Sequence, residues 1–469
     1  MMANGLVRLP AVELARLMRE RQVSPVEVLE AHLAQIEKHN GRINAFCTLA
    51  PEQARAAARE AERLLAAGGA AGALAGVPVA IKDLTPTAGI RTTWGSALFR
   101  DHVPAEDAEV VKRLKAAGAI VLGKTNTPEF GAGANTVNAV FGATRNPWNP
   151  ELSASGSTGG GAAALAARMT PLAEGTDFGG SLRTPAAFCG VVGLRTTTGL
   201  IPKVPSAHAW HDMSVAGPMA RTAEDCALLL DAMSGPSAAS PLSCVPPWRS
   251  AHAIVAATED LRGVRLAYAP DIGGIGVDDE IERLCRAVAR GLAASGASLE
   301  EIEFDLSDGR DAFLALRAEA MVASHADKLH RLDELGPNLA GNIRAGLSQS
   351  VIDIATAERK RTELWERYRR LFERYDLLLT PTAPVPPFPV ERNHPDRIGE
   401  RRLETYIDWI APTFLVSLVN LPAASVPAGL TASRLPVGLQ IVGPRFSEPR
   451  ILGVAKQVQL ANPLGAPPL

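Results

Sequence analysis

Cysteine is scarce in this chain: 5 of 469 residues, spread over Cys47, Cys189, Cys226, Cys244 and Cys285 with no CxxC pair. An odd number without paired spacing argues against a disulfide framework or a zinc cage and fits buried thiols in a reducing cytosol. Long basic runs are missing too, and the formal net charge is −2. Nucleic acid is therefore not an expected partner, because phosphate binding needs clustered Lys and Arg. The first ten residues, MMANGLVRLP, lack the apolar core of a secretion signal. One uncharged stretch, Leu64 to Ile81, is long enough to suggest a membrane span. It is mostly small residues, with Pro78 and four glycines inside it. It reads instead as a helix end, a glycine turn and a strand from Val77 to Ile81, so a cytoplasmic protein that does not enter the membrane is expected. Neither HExxH nor an acidic cluster beside the histidines occurs, and no metal or other cofactor is expected.

The remaining composition, 46% hydrophobic and 21% charged, is that of a globular protein with a sizeable core. Ser24-Pro25-Val26-Glu27 reads as a capping box with proline at the first helical position, and Val26, Leu29, Leu33 and Ile36 then recur on one helical face. Ala54 to Ala67 reads as a second helix. From Gly76 to Gly199 short apolar runs alternate with helices, an α/β pattern. Residues 236–260 read as a surface connection, and 279–375 mainly as helices. LLLTPTAPVPPFPV reads as a strand entering a proline-rich loop, and ASVPAGL and VGLQIVG as two further strands. No flexible linker interrupts the chain. One large α/β domain over 1–469 with a helical insertion is the simpler reading.

Gly118-Ala-Ile-Val-Leu-Gly-Lys-Thr125 matches the phosphate-loop pattern GxxxxGK[ST] letter for letter. The four intervening residues themselves form a strand pattern, however, and Asn126-Thr-Pro128 follows rather than a helix. Nucleotide binding is not expected. SASGSTGGG at 153–161 opens an alanine-rich helix, and Gly175-Thr-Asp-Phe-Gly-Gly-Ser181-Leu-Arg183 follows. Glycine turns let backbone approach a reacting carbonyl and aim consecutive N–H groups at an oxyanion. Ser181 is then a candidate nucleophile, with the N–H groups of Phe178, Gly179, Gly180 and Ser181 as a candidate oxyanion hole. Two inert glycine-serine loops would read the same way. The usual base, histidine, has no good candidate: His208, His211, His325 and His330 read as surface or packing residues. GxSxG and SxxK are absent. Lys82, at the end of VPVAI, is left as a base, although a lysine there also fits an ion-paired or snorkelling residue.

Taken together, GVPVAIKD, GKTNTPEFGAG, FGATRNPWN, the serine-glycine turn, GTDFGGSLRTPAAFCGVVGL, VAGPMARTAEDCALLLDAM and LPAASVPAGL…LPVGLQIVGPRF resemble the amidase signature family. The likeness is specific over 76–233, the signature core, and over 421–446. Lys82 precedes Ser157 by 75 residues and Ser157 precedes Ser181 by 24, which suits the family's Lys–cis-Ser–Ser arrangement. The turn departs from the family's usual Pro-Gly-Gly-Ser-Ser-Gly-Gly-Ser but keeps Gly156 before Ser157. Phe178 is bulkier than the usual Ile or Thr, and Thr196 replaces a common Pro.

The resemblance implies a central mixed, twisted β-sheet covered by helices on both faces. It implies that Ser181 forms an acyl-enzyme, that Ser157, in a cis peptide after Gly156, relays the proton, and that Lys82 is the general base, made neutral by burial. Asp177 and Arg183 are implied as a structural ion pair, and Gly131, Ser157 and Phe178 as substrate contacts. An acyl pocket would be lined by Phe178, Trp94 or Trp210, and specificity would be set within 200–215 and the helical, proline-rich 279–415 region. The implied activity is hydrolysis of small amides, with carbamates (a urethanase activity) and esters open. Many members of the family form dimers, and the resemblance allows a homodimer here. The A subunits of glutamine-dependent tRNA amidotransferases share the core and triad, and hold the glutamine amine with an acidic residue ahead of the C-terminal motif. The nearest carboxylate here, Asp408, falls out of register. A non-catalytic binding protein on the same fold is the third reading.

Overall fold

The computed structural model describes residues 3–68 and 72–469. The helix α1, Pro25–Ile43, starts as its sequence directs: the Ser24 hydroxyl accepts the Glu27 N–H at 3.1 Å while the Glu27 carboxylate accepts the Ser24 N–H at 2.8 Å. Its buried stripe is wider than the predicted one, taking in Val28, His32 and His39, while Val26 and Leu33 are only half-buried. The second helix spans Pro51–Ala66, and part of the glycine turn after it, residues 69–71, lies outside the described residues.

Eleven strands build one mixed sheet: β1 Phe46–Leu49, β2 Pro78–Lys82, β3 Ile120–Thr125, β4 Leu172–Asp177, β5 Val192–Arg195, β6 Val215–Ala220, β7 Arg265–Tyr268, β8 Ser298–Glu301, β9 Leu377–Pro381, β10 Ala423–Leu430 and β11 Pro436–Val442. Their order is β1-β3-β2-β4-β6-β5-β10-β11-β9-β7-β8. The phosphate-loop look-alike is β3 itself, buried along its length.

Alternation along the strands feeds two sides. Val79, Ile81, Val121, Leu194, Leu379, Leu439 and Ile441 enter one core. Their neighbours Ala80, Ile120, Leu122 and Ala173 enter a second, and Ala267, Leu378, Ala423 and Val442 a third. Apolar residues on both sides of each strand require helices over both faces of the sheet. Those used below are α2 Gly159–Ala166, α3 Arg183–Cys189, α4 Arg310–Ser324 and α5 Pro337–Leu347.

Two expectations need correcting. The connection 236–260 contains a helix, Ala251–Ala256, capped by Ser250. The region read as a helical insertion adds β8 to the sheet edge, beside β7, so it extends the sheet as well as carrying helices. Both strands are only four residues long, and β8 is mostly exposed and polar, which removes the alternation that marks longer strands.

The site forms because β2 and β4 are parallel neighbours. Their C-terminal ends therefore open on one edge of the sheet, the usual place for a site in an α/β fold. Lys82 ends β2 and Asp177 ends β4, and the serine turn ahead of α2 packs over them.

Candidate active site

Lys82 is fully buried. Its Nζ lies 2.7 Å from Ser157 Oγ, 2.8 Å from Thr158 Oγ1 and 3.0 Å from Thr176 Oγ1. Three hydroxyls surround the amine, and among the described residues no carboxylate pairs with it. A hydroxyl can donate or accept, so this shell serves a neutral amine as well as an ammonium. Burial brings the Lys82 pKa down to about 7, against the upward pull of Glu174 and Asp177 and with some help from Lys203. Thr158 and Thr176 were not singled out from sequence, although both border residues that were.

Ser157 follows a cis peptide bond from Gly156. The glycine is demanded by contact: a Cβ at 156 would come within 2.9 Å of the Gly133 carbonyl and 3.0 Å of the Asn135 backbone. Gly131 borders the same hydroxyl, and a Cβ there would stand 3.4 Å from Ser157 Oγ. The proline-rich loop after β9 closes over this turn, Ser153 N–H donating to the Phe388 carbonyl at 2.8 Å and Asn135 to the Val390 carbonyl at 2.8 Å.

Ser181 sits in the turn between β4 and α3. Its carbonyl accepts the Thr158 N–H at 3.1 Å, which ties the two serine turns together. The Ser181 hydroxyl is half-buried and has no hydrogen-bond partner among the described residues, so the two serines share a site without an Oγ–Oγ hydrogen bond. Of the four candidate oxyanion donors, Gly180 N–H is already given to Asp177 Oδ1 at 2.9 Å. The N–H groups of Phe178, Gly179 and Ser181 have no acceptor among the described residues.

Asp177 organises the turn from beneath. Its carboxylate also accepts Leu182 N–H at 3.1 Å and two Arg183 N–H groups at 2.9 and 3.0 Å. Arg195 adds a third cationic donor at 3.3 Å, a partner that sequence reading missed. Burial alone would raise the Asp177 carboxyl, but the two guanidiniums outweigh it and hold the group well below the ordinary carboxylate range. A second buried network lies behind Lys82. Glu174 accepts the Lys82 backbone N–H at 3.1 Å and the Thr85 hydroxyl at 2.9 Å, while Lys124 donates to Thr87 Oγ1 at 2.9 Å.

Around the serines, Phe178 packs edge-on against His211 at 4.8 Å and Phe313 at 6.2 Å. Trp210 does not join them: it is 71% exposed. Trp94 stacks instead with His102 and with Phe130, the residue before Gly131, and meets Phe99 edge-on. His211 and His325 are packing residues, as expected, the latter against Phe130. Burial pushes His211 down to about 3 and His325 to about 4, so neither is a useful base near neutral pH.

A buried, deprotonatable amine beside hydroxyls on glycine turns is the equipment of a hydrolase that works through an activated serine. The Amidase family matches residues 27–452 of this chain. An acylamidase from Rhodococcus erythropolis is 36% identical over 468 residues, covering 99% of this chain and 97% of that protein. The A subunit of the Glutamyl-tRNA(Gln) amidotransferase of Methylococcus capsulatus is 37% identical, covering 96% of each chain. Among solved structures, a bacterial aryl acylamidase of the amidase signature enzymes superposes with a TM-score of 0.90 at 30% identity, over 97% of this chain and 96% of that one. The chain belongs to the amidase signature family, and is a hydrolase of carbon–nitrogen bonds other than peptide bonds. Among the described residues no helix is long and apolar enough to cross a membrane.

Proposed function

We propose that the protein is a stand-alone amidase of small amides, aryl amides foremost, with carbamates and esters as further substrates, working through Ser181, Ser157 and Lys82. The observation that carries this reading is the fully buried Lys82 Nζ, 2.7 Å from the Ser157 hydroxyl, on a turn bonded to the backbone of Ser181.

Ser181 Oγ attacks the substrate carbonyl while its proton passes to Ser157, whose own proton passes to neutral Lys82. The carbonyl oxygen becomes an oxyanion facing the N–H groups of Phe178, Gly179 and Ser181, with Gly180 N–H kept on Asp177. On collapse the C–N bond breaks, and the proton returns from Lys82 through Ser157 to the leaving nitrogen. An amide requires that return, because an amide anion leaves poorly. Water then takes the place of the amine and releases the acid from the acyl-enzyme. Gly131 and Phe178 border the acyl group.

The test is hydrolysis of an aryl amide, a primary amide, glutamine, an aryl carbamate and a p-nitrophenyl ester by wild type and Ser181→Ala. Turnover by wild type and its loss in the variant is the expected result. Equal turnover by both would remove Ser181 from the mechanism.

The similarity to the A subunits of amidotransferases favours a second reading, that of a glutaminase working within a complex. Against it stands the ion pair of Asp408 with Arg310 at 2.7 Å, which leaves that carboxylate no charge to spare for a substrate ammonium. Glutamine hydrolysis that appears only with a co-purified partner would decide for the complex.

A further inference from the structure

Two buried arginines beside the serine turns, Arg183 and Arg195, meet Asp177. A third, Arg317 on α4, meets no carboxylate within ion-pair distance among the described residues. The residue is 5% exposed. Its Nη2 donates to the Tyr406 hydroxyl at 2.6 Å and its Nη1 to the Asn342 side-chain carbonyl on α5. Both partners are neutral. A guanidinium carries five N–H donors; those left over, Nε–H included, find no acceptor among the described residues. The guanidinium carbon lies 5.5 Å from the centre of the Tyr406 ring and 6.0 Å from that of Phe178. Ring faces attract a cation but accept no full hydrogen bond from it. A guanidinium this little exposed and without a counterion is costly to keep, and a ligand carboxylate would supply the missing partner.

The position gives the cation its use. Phe178 opens the turn that carries Ser181, and Arg317 stands against that ring. The wall around them is apolar: Phe178 packs with Met321, Leu335, Leu339 and Ile343. We infer that Arg317 is a specificity-determining residue that anchors a carboxylate on the amide substrate, its free N–H edge receiving both oxygens. A planar guanidinium suits a carboxylate held through two parallel bonds. One cation in an apolar wall also favours a monoanion, because a dianion would leave a net charge buried there. The inference rests on the amidase reading and narrows it to amides that carry a carboxylate.

The test compares matched substrates that differ only in that charge. Succinanilic acid against levulinic anilide carries it on the acyl side, and 4-acetamidobenzoate against acetanilide on the amine side. In wild type, kcat/KM should favour the charged member of one pair. In Arg317→Met that preference should fall by about 100-fold, the scale of losing one partner of a desolvated charge pair, with the neutral substrate held within about threefold. Arg317→Lys should fall between the two. If charged and neutral substrates lose activity together, Arg317 is a structural clamp between α4, α5 and Tyr406, and the inference fails. It fails equally if neither ratio moves. Butyrate and benzoate binding to Ser181→Ala, followed by calorimetry with and without Arg317→Met, reads the anchor without turnover. Binding that needs Arg317 in an enzyme that hydrolyses none of the amides would sink the amidase reading and leave the anchor standing. Binding indifferent to Arg317 would overturn the anchor.

Discussion

Lys82 shows how burial fits a side chain usually read as a surface cation for the base role proposed for it. Its ordinary pKa of 10.5 would leave it almost wholly charged at neutral pH. Burial outweighs the pull of Glu174 and Asp177 and brings it to about 7, so the free enzyme holds a large neutral fraction under physiological conditions. The proposed base role sets the sign. Protonated Lys82 cannot accept a proton from Ser157, so kcat/KM should rise with pH and reach half its plateau near 7; a flat profile from pH 5 to 9 would remove Lys82 as the titrating base. Replacing the amine separates its two tasks. Lys82→Ala should slow anilides far more than p-nitrophenyl esters, since a nitrophenolate leaves without a proton. Equal losses on both would argue against proton return to the leaving nitrogen. His211 offers no substitute, because burial and the neighbouring Lys203 keep it neutral and weakly basic.

At the scale of elements, the edge that carries the candidate site depends on Asp177 closing the β4–α3 turn. Its carboxylate takes N–H groups from Gly180 and Leu182 and is neutralised by Arg183 and Arg195. Asp177→Asn would leave two buried guanidiniums without a counterion, and breaking a buried pair in this way costs about 3–5 kcal/mol. Urea unfolding should register that loss, and kcat should fall with it because the turn also aims Ser181. A variant as stable as wild type would mean that the network contributes little to the fold. How much of this was legible in the sequence follows from range. Asp177 and Arg183 lie six residues apart within one motif, and the Ser24 capping box within four, so both could be read locally. Arg195 reaches Asp177 only because β5 pairs with β6 and β6 with β4, an order that no local period encodes. Arg317 and Asn342 meet across two helices in the region where family likeness is loosest. Trp210 misled because an aromatic residue close in sequence to a site need not face it, and here it faces solvent.

For the whole molecule, near-equal identity to an acylamidase and to the A subunit of an amidotransferase leaves autonomy to be settled by assay. The Arg310–Asp408 pair favours a chain that works alone, so the protein purified without any partner should hydrolyse anilides and leave glutamine intact; activity that required a second polypeptide would reverse this. Stability against acid is likewise a property of the whole fold, and one residue isolates a share of it. His32 is fully buried on α1, its Nδ1 2.8 Å from the Val28 carbonyl and its Nε2 without a partner among the described residues. Burial lowers it from 6.5 to about 4, with a small contribution from Arg221. Below pH 6.5 the unfolded chain takes up a proton that the folded chain refuses, so the contribution of His32 to stability is intact above 6.5 and is lost as pH falls toward 4. Buried carboxyls such as Glu174, Asp225 and Glu448 are shifted upward and oppose this trend, because they bind protons more readily folded than unfolded. Total stability against pH therefore mixes both signs, whereas a difference between two variants does not. His32→Gln removes the titration while keeping a donor for the Val28 carbonyl. Relative to that variant, wild type should lose about 3 kcal/mol between pH 7 and pH 4, the free energy of a shift of that size. A gap between the two that stays constant with pH would mean that His32 is protonated in the folded protein and that its site is wetter than its burial implies.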